Sequence, residues 1–205
     1  MNIVLLGFFT MLGCILIIPA GASLTAVNVA MKSYLLEDDP KPLKTLWAAF
    51  KENFKLSTVV WLIHLVFIAV LIIDFLYYRA GTGTLDILAQ TAVFVLIILL
   101  AFELLLVFVV IAEKMETNVW KIMGKSLDLA FTCMLESFFI LVISIAIPIA
   151  AVFLFPAFVI VLPGVIAYLS WQILPNMLQK YKFRKGNAQY QRDRRKEEEQ
   201  KQIKK

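Results

Sequence analysis

The sequence predicts an all-helical membrane protein of five transmembrane helices, N-terminus outside and C-terminus inside, with two cytoplasmic interfacial helices. Three observations predict it. Five apolar segments are each long enough to cross a hydrocarbon core, which takes about 20 residues. Lys and Arg gather in alternate loops. Two of those loops carry amphipathic stretches containing a tryptophan.

The segments run near Ile3–Met31, Leu56–Tyr78, Leu85–Ala112, Leu129–Phe153 and Ala157–Leu174. With 61% hydrophobic and 17% charged residues, the chain has too little polar surface to clothe these segments in water. Residues 1–178 therefore read as a five-helix transmembrane domain and 179–205 as a charged cytoplasmic tail. From Phe131 to Leu174 the one charge is Glu136, and a single helix of that length would measure about 66 Å, so it must turn back. Phe155 and Pro156 are the expected break, because proline removes a donor and clashes with the preceding turn.

Outside the segments there are five Lys or Arg in Lys32–Lys55, one at Arg79, three in Lys114–Lys125, none near Pro156 and eleven from Lys180 onward. Basic loops stay inside, which fixes the predicted orientation. The net charge of +5 thus describes a cytoplasmic rim facing anionic lipid rather than a nucleic-acid surface. No basic groove interleaved with aromatic stacking platforms is present, so nucleic acid is not an expected partner.

The first segment ends in small residues, Ala20-Gly21-Ala22, that resemble a cleavage site, but no Lys or Arg precedes Lys32 as a signal peptide requires. It is expected to be a retained helix, kinked at Pro19, which frees the carbonyl of Ile15. Beyond Pro19, Ala22, Ala26 and Ala30 lie four apart on one face, a stripe that lets another helix approach closely. Internal packing and docking to another membrane subunit both use such a stripe, and internal packing is the simpler expectation. Cys14 and Cys133 lie within the segments and read as small apolar residues, with no disulfide or metal site suggested.

In the first cytoplasmic loop, residues 43–55 form the first amphipathic stretch. Leu43, Leu46, Trp47, Phe50 and Phe54 share an arc of about 100°, with Lys44, Lys51 and Lys55 on its flank. In the third, residues 117–127 repeat it: Trp120, Met123 and Leu127 follow Trp47, Phe50 and Phe54 at an offset of 73 residues. Both are expected to lie at the inner membrane surface. They serve as anchors or as a collar touching a partner.

The run Pro19-Ala20-Gly21-Ala22-Ser23-Leu24-Thr25-Ala26, followed by Leu46-Trp47-Ala48-Ala49-Phe50-Lys51-Glu52-Asn53-Phe54-Lys55 and an apolar span, resembles the YesL family of bacterial membrane proteins. The likeness extends through the second tryptophan-containing loop and the Pro-rich last hairpin, over most of residues 1–180. Its first 80 residues are the most specific. The resemblance implies a cell-membrane protein of Gram-positive bacteria beside carbohydrate-uptake and polysaccharide-use systems. Its expected role is that of an auxiliary subunit whose partners are the permease subunits of a carbohydrate (oligosaccharide) ABC importer. It implies no catalytic residue, and the basic tail from Arg184 lies outside the family pattern.

Enzymatic chemistry has little to stand on. His64 is the single histidine, which rules out a centre with several His ligands. No phosphate-binding loop occurs, and Gly81-Thr82-Gly83-Thr84 reads as a short outer turn. No cofactor is expected. Three ionisable residues nevertheless lie inside segments: His64, Glu103 and Glu136, each about 12–15 Å from the inner edge by residue count. They are expected to form one polar layer, which either fixes helix register or marks a solute or proton path. A small carrier is therefore the alternative to the auxiliary subunit, and a membrane regulator linked to sugar sensing is a further one. The tail, with fifteen charges in residues 179–205, is expected either to form a solvated helix through i to i+4 pairs or to stay disordered.

Overall fold

In a computed structural model, the described residues are 2–36, 41–81, 83–154 and 161–203. They form seven helices and no strand: α1 (Asn2–Ile15), α2 (Ala20–Leu36), α3 (Pro42–Arg79), α4 (Thr84–Ala112), α5 (Val119–Thr132), α6 (Met134–Leu154) and α7 (Leu162–Ile203). Two of these, α3 and α4, are long and apolar enough to cross a membrane, and a third span results if α5 and α6 together count as one broken span.

The central element is α3. Pro42 starts it, where a missing N–H costs nothing, and no Pro or Gly interrupts it before Arg79. Its buried residues Leu46, Ala49, Asn53, Ser57, Val60 and His64 follow one another by three or four positions, one continuous stripe. The expected interfacial helix over 43–55 is therefore the first third of α3 and not a separate element. The amphipathic pattern marks a change of surroundings, and nothing in the stripe breaks at Leu56. At 38 residues α3 measures about 57 Å, longer than a hydrocarbon core of about 30 Å is thick.

The first apolar segment departs from a single kinked span. Helix α1 ends at Ile15 and α2 begins at Ala20, with Ile17 in the left-handed region at φ 45°. Gly13 lies directly against the Ser23 hydroxyl, ten residues on, whereas a straight helix would separate them by about 15 Å. The chain thus folds back at Leu16–Pro19. Pro19 is at the break, but the break is a reversal because Gly13 has no Cβ to hold the two helices apart.

Helix α2 packs along α3. A Cβ on Gly21 would meet the Ser57 carbonyl and Trp61 at 2.6 Å, so the helices touch there backbone to backbone. Thr25 and Ser57 share a hydrogen bond of 2.8 Å, and Trp61 Nε1 donates to the Ile17 carbonyl at 2.8 Å. Ala22, Ala26 and Ala30 are fully buried in this packing.

Helix α4 returns antiparallel to α3, and just before it the Gly83 N–H donates to Asp86 at 3.0 Å. Helix α5 starts at Asn118, whose side chain accepts from the Trp120 N–H at 3.1 Å, and it runs to Thr132, five residues past the expected interfacial helix. The chain then bends by 102° into α6. No Pro or Gly stands at that bend, and nothing in the sequence explains it. The 73-residue offset survives in the burial pattern: Ile122, Ser126, Ala130 and Cys133 are buried, as are Ala49, Asn53, Ser57 and Val60. Trp47 and Trp120, at the same offset, are both exposed.

The expected break at Phe155 and Pro156 lies outside the described residues. Helix α7 crosses α1 where Gly7 and Gly164 meet, and a Cβ on Gly7 would lie 2.5 Å from the Val161 carbonyl. It continues without interruption through the charged tail to Ile203, so the tail is helical and the predicted boundary at 178 is not a structural break.

Ion pairs tie together one end of the bundle: Lys32–Glu113 at 2.9 Å, Lys114–Glu52 at 2.7 Å, Lys125–Glu116 at 3.5 Å and Lys185–Asp128 at 2.5 Å. In the link between α4 and α5, the Thr117 backbone N–H, followed by Lys125 and Lys121, holds the Glu116 carboxyl below the usual carboxylate range.

Candidate functional site

The buried stripe of α3 ends on His64, whose side chain is fully enclosed. Because α4 runs antiparallel, the rim pair Lys114–Glu52 sets the register. Eleven residues in from Lys114 and twelve in from Glu52, Glu103 and His64 stand at the same depth, about 17 Å from the rim. Glu103 Oε2 is hydrogen-bonded to His64 Nε2, and Glu103 Oε1 accepts from the Ser126 hydroxyl of α5 at 2.9 Å. Ser126 is also 2.8 Å from the Met123 carbonyl, so its one proton has two acceptors. Three helices thus converge on one carboxyl group.

The protonation of this cluster follows from hydrogen-bond roles. His64 Nδ1 lies 2.7 Å from the Val60 carbonyl, which can only accept, so Nδ1 carries a proton. Nε2 then faces a carboxyl oxygen. If neither atom carried a proton, two lone pairs would confront each other within hydrogen-bonding distance. One proton therefore lies between them, either on the imidazole with an ionised carboxylate or on the carboxyl with a neutral imidazole. In both forms the pair is neutral as a whole, which is how two ionisable groups are tolerated at this depth.

The arrangement is not that of a nucleophile and its base. In a Ser–His–acid relay the imidazole sits between hydroxyl and carboxylate and takes the hydroxyl proton. Here the carboxyl sits in the middle, and the Ser126 hydroxyl donates to it rather than to the imidazole. Among the described residues, no three of His, Cys, Asp and Glu converge as a metal site.

Of the three residues expected in one layer, the structure brings together His64 and Glu103. Glu136 stands apart, in the first turn of α6, where it pairs with Lys180 of α7. Counting from Asp128 assumes one straight helix, whereas the chain bends after α5 and Glu136 is paired with Lys180 of α7. Lys180 supplies the cation that the segments themselves lack. Beside it, Arg184 donates to the Thr132 carbonyl at 2.8 Å, and Tyr181 donates to Asp128 at 2.9 Å.

Sequence reasoning did not include Ser126. Its position 73 residues after the buried Asn53 would have put it on the inward face of α5. It also missed Asn28, whose side-chain oxygen accepts from Trp171 Nε1 at 3.0 Å and ties α2 to α7. The stripe Ala22, Ala26 and Ala30, with Pro19 at its start, is covered within the chain. The aromatic residues of the first third of α3 form a ladder on its open side. Trp47 and Phe50 stack at 5.6 Å, and Phe50 and Phe54 meet edge to face at 5.4 Å. On α5, Trp120 is exposed while Met123 and Leu127 are half-buried.

The family described as "Protein of unknown function, DUF624" matches residues 1–75, which comprise α1, α2 and nearly all of α3. The match includes His64 but not Glu103 or Ser126. No curated protein and no solved structure matches the chain.

Proposed function

We propose that this protein is a non-enzymatic auxiliary subunit in a bacterial cell membrane, associated with the permease subunits of a carbohydrate ABC importer. The observation that carries the first half is the sealing of the His64–Glu103–Ser126 cluster. Its side chains are buried between three helices, and its hydroxyl faces a carboxyl, so none of these three groups is open to a substrate. The second half rests on the YesL resemblance over the amino-terminal helices. Alternation of basic loops supports a multi-pass arrangement in which the ion-paired rim and the tail face the cytoplasm.

The test is a mild-detergent pull-down of the tagged protein from its native membrane, with every co-purifying chain identified by mass spectrometry. Permease and ATPase subunits recovered in fixed proportion are the expected outcome. Recovery of this chain alone from several detergents overturns the proposal.

One observation favours a second reading, a small proton-coupled carrier: the His64–Glu103 pair holds a proton at membrane depth. On that reading the purified chain moves solute or protons in vesicles by itself, and His64→Leu abolishes the flux. The auxiliary reading expects no flux from the chain alone.

A further inference from the structure

Between α1, the turn at Leu16–Pro19 and the first turns of α3 lies an apolar groove of about 310 Å³. Its walls include Phe9, Leu12 and Leu16 on one side and Leu46, Trp47 and Phe50 on the other. That volume is at the lower end of small-molecule sites, which run from about 300 Å³ upward. Trp47 forms part of the wall, and the Lys51 ammonium lies over its ring at 5.0 Å. At about 100° per residue, Lys44, Lys51 and Lys55 stand within some 40° of one another, a row beside the aromatic ladder. All three are exposed, and none forms an ion pair with a described residue. Lys32, Lys114, Lys125, Lys180 and Lys185 each have a carboxylate partner, whereas Lys121 and Lys182, like the row, have none among the described residues.

The placement of Lys44 sharpens the contrast. The first turn of α3 carries no acidic residue, although the amino end of a helix attracts negative charge and disfavours cations. A lysine there, with two more on the same face, gathers three ammonium groups that have no carboxylate partner among the described residues, next to an apolar groove. An anion attached to an apolar chain matches both features. Helix α3 is longer than the hydrocarbon core is thick, and its amphipathic first third is the part suited to the level of lipid headgroups.

We propose that this groove is a binding site for one anionic phospholipid, its acyl chain lying along Phe50, Trp47 and Leu16 and its phosphate on Lys51, in the positive field that Lys44 and Lys55 extend to either side. The site is independent of the permease reading. It differs from general attraction to a charged membrane in requiring both the groove and the lysine row.

Native mass spectrometry of the full-length protein, released from vesicles of equal phosphatidylglycerol and phosphatidylcholine, tests it by counting retained lipids. Wild type retains one phosphatidylglycerol in preference to phosphatidylcholine. Neutralising Lys44→Gln, Lys51→Gln and Lys55→Gln singly lowers that retention about fivefold each, the factor expected for one basic residue at an anionic surface. Leu16→Trp, which fills the groove at an exposed position and leaves every lysine in place, also lowers it. Added inorganic phosphate does not displace the lipid. Equal retention of both lipids by wild type, unchanged retention in the triple lysine variant, unchanged retention in Leu16→Trp, or displacement by free phosphate each overturns the site.

Discussion

The imidazole of His64 and the carboxyl of Glu103 hold one proton between them, because the Val60 carbonyl fixes the other imidazole proton on Nδ1. The two residues come from different helices, and either one alone would keep only a neutral partner, Ser126 for Glu103 and the Val60 carbonyl for His64, and lose its ionisable one. Removing one should therefore cost more than removing both. His64→Leu or Glu103→Leu is expected to destabilise the protein by about 3 kcal/mol, mainly through the group left behind. The double variant His64→Leu/Glu103→Leu should lose much less than the sum. Unfolding in detergent measures all three, and strictly additive losses would show that the pair is not coupled.

Gly7 and Gly164 let α1 and α7 cross backbone to backbone, with the Val161 carbonyl in the space where a Gly7 side chain would go. Gly7→Ala and Gly164→Ala are expected to destabilise by about 1–3 kcal/mol, the range for inserting a methyl group where none fits. Gly124 on α5 meets nothing within 4 Å. There the same substitution should stabilise by about 0.5–1 kcal/mol, since alanine is the better helix former. Opposite signs in thermal unfolding of Gly164→Ala and Gly124→Ala are the expected result. A neutral or stabilising Gly164→Ala would argue against the close crossing.

Legibility in the sequence followed the range of the forces involved. The inward stripe of α3 from Leu46 to His64 is polar in half its positions, so the sequence reads as two elements meeting at Leu56, whereas the break near Pro19 could be read because proline acts on its own turn. That the break is a reversal was not legible, since it depends on Gly13 meeting Ser23, a contact the residues permit but do not announce. The bend after Thr132 has no breaker residue, so counting residues from Asp128 assumes a straight helix and gives no sign that Glu136 pairs with Lys180. His64 and Glu103 could be paired by depth because α3 and α4 are joined by a short turn and run antiparallel. Ser126 belongs to the same site but comes from α5, whose packing against α4 is a tertiary fact with a faint trace in the 73-residue offset.

Ala26 is fully buried against its own chain, at the centre of the small-residue stripe on α2. Ala26→Leu is expected to destabilise the isolated protein by about 1–3 kcal/mol through overpacking. If the stripe instead served a partner, the isolated chain would tolerate the larger side chain and only association would suffer. Comparing unfolding of the purified variant with its recovery of co-purifying chains separates the two. Unchanged stability with lost association would move the stripe to an interface.

Glu136 and Lys180 form a pair in which the lysine is largely exposed, 65% by side chain, while the carboxylate is mostly covered at 19%. Solvent screens such pairs, so Lys180→Ala should cost no more than about 1 kcal/mol. Glu136 and Glu103 share no hydrogen-bond partner: one answers to Lys180, the other to His64 and Ser126. The stability changes of Glu136→Gln and Glu103→Gln are therefore expected to add within about 0.5 kcal/mol in the double variant. A coupling well beyond that would place the two carboxyls in one network after all, joined through the bend at Cys133, and would make that bend the element through which the rim and the buried pair communicate.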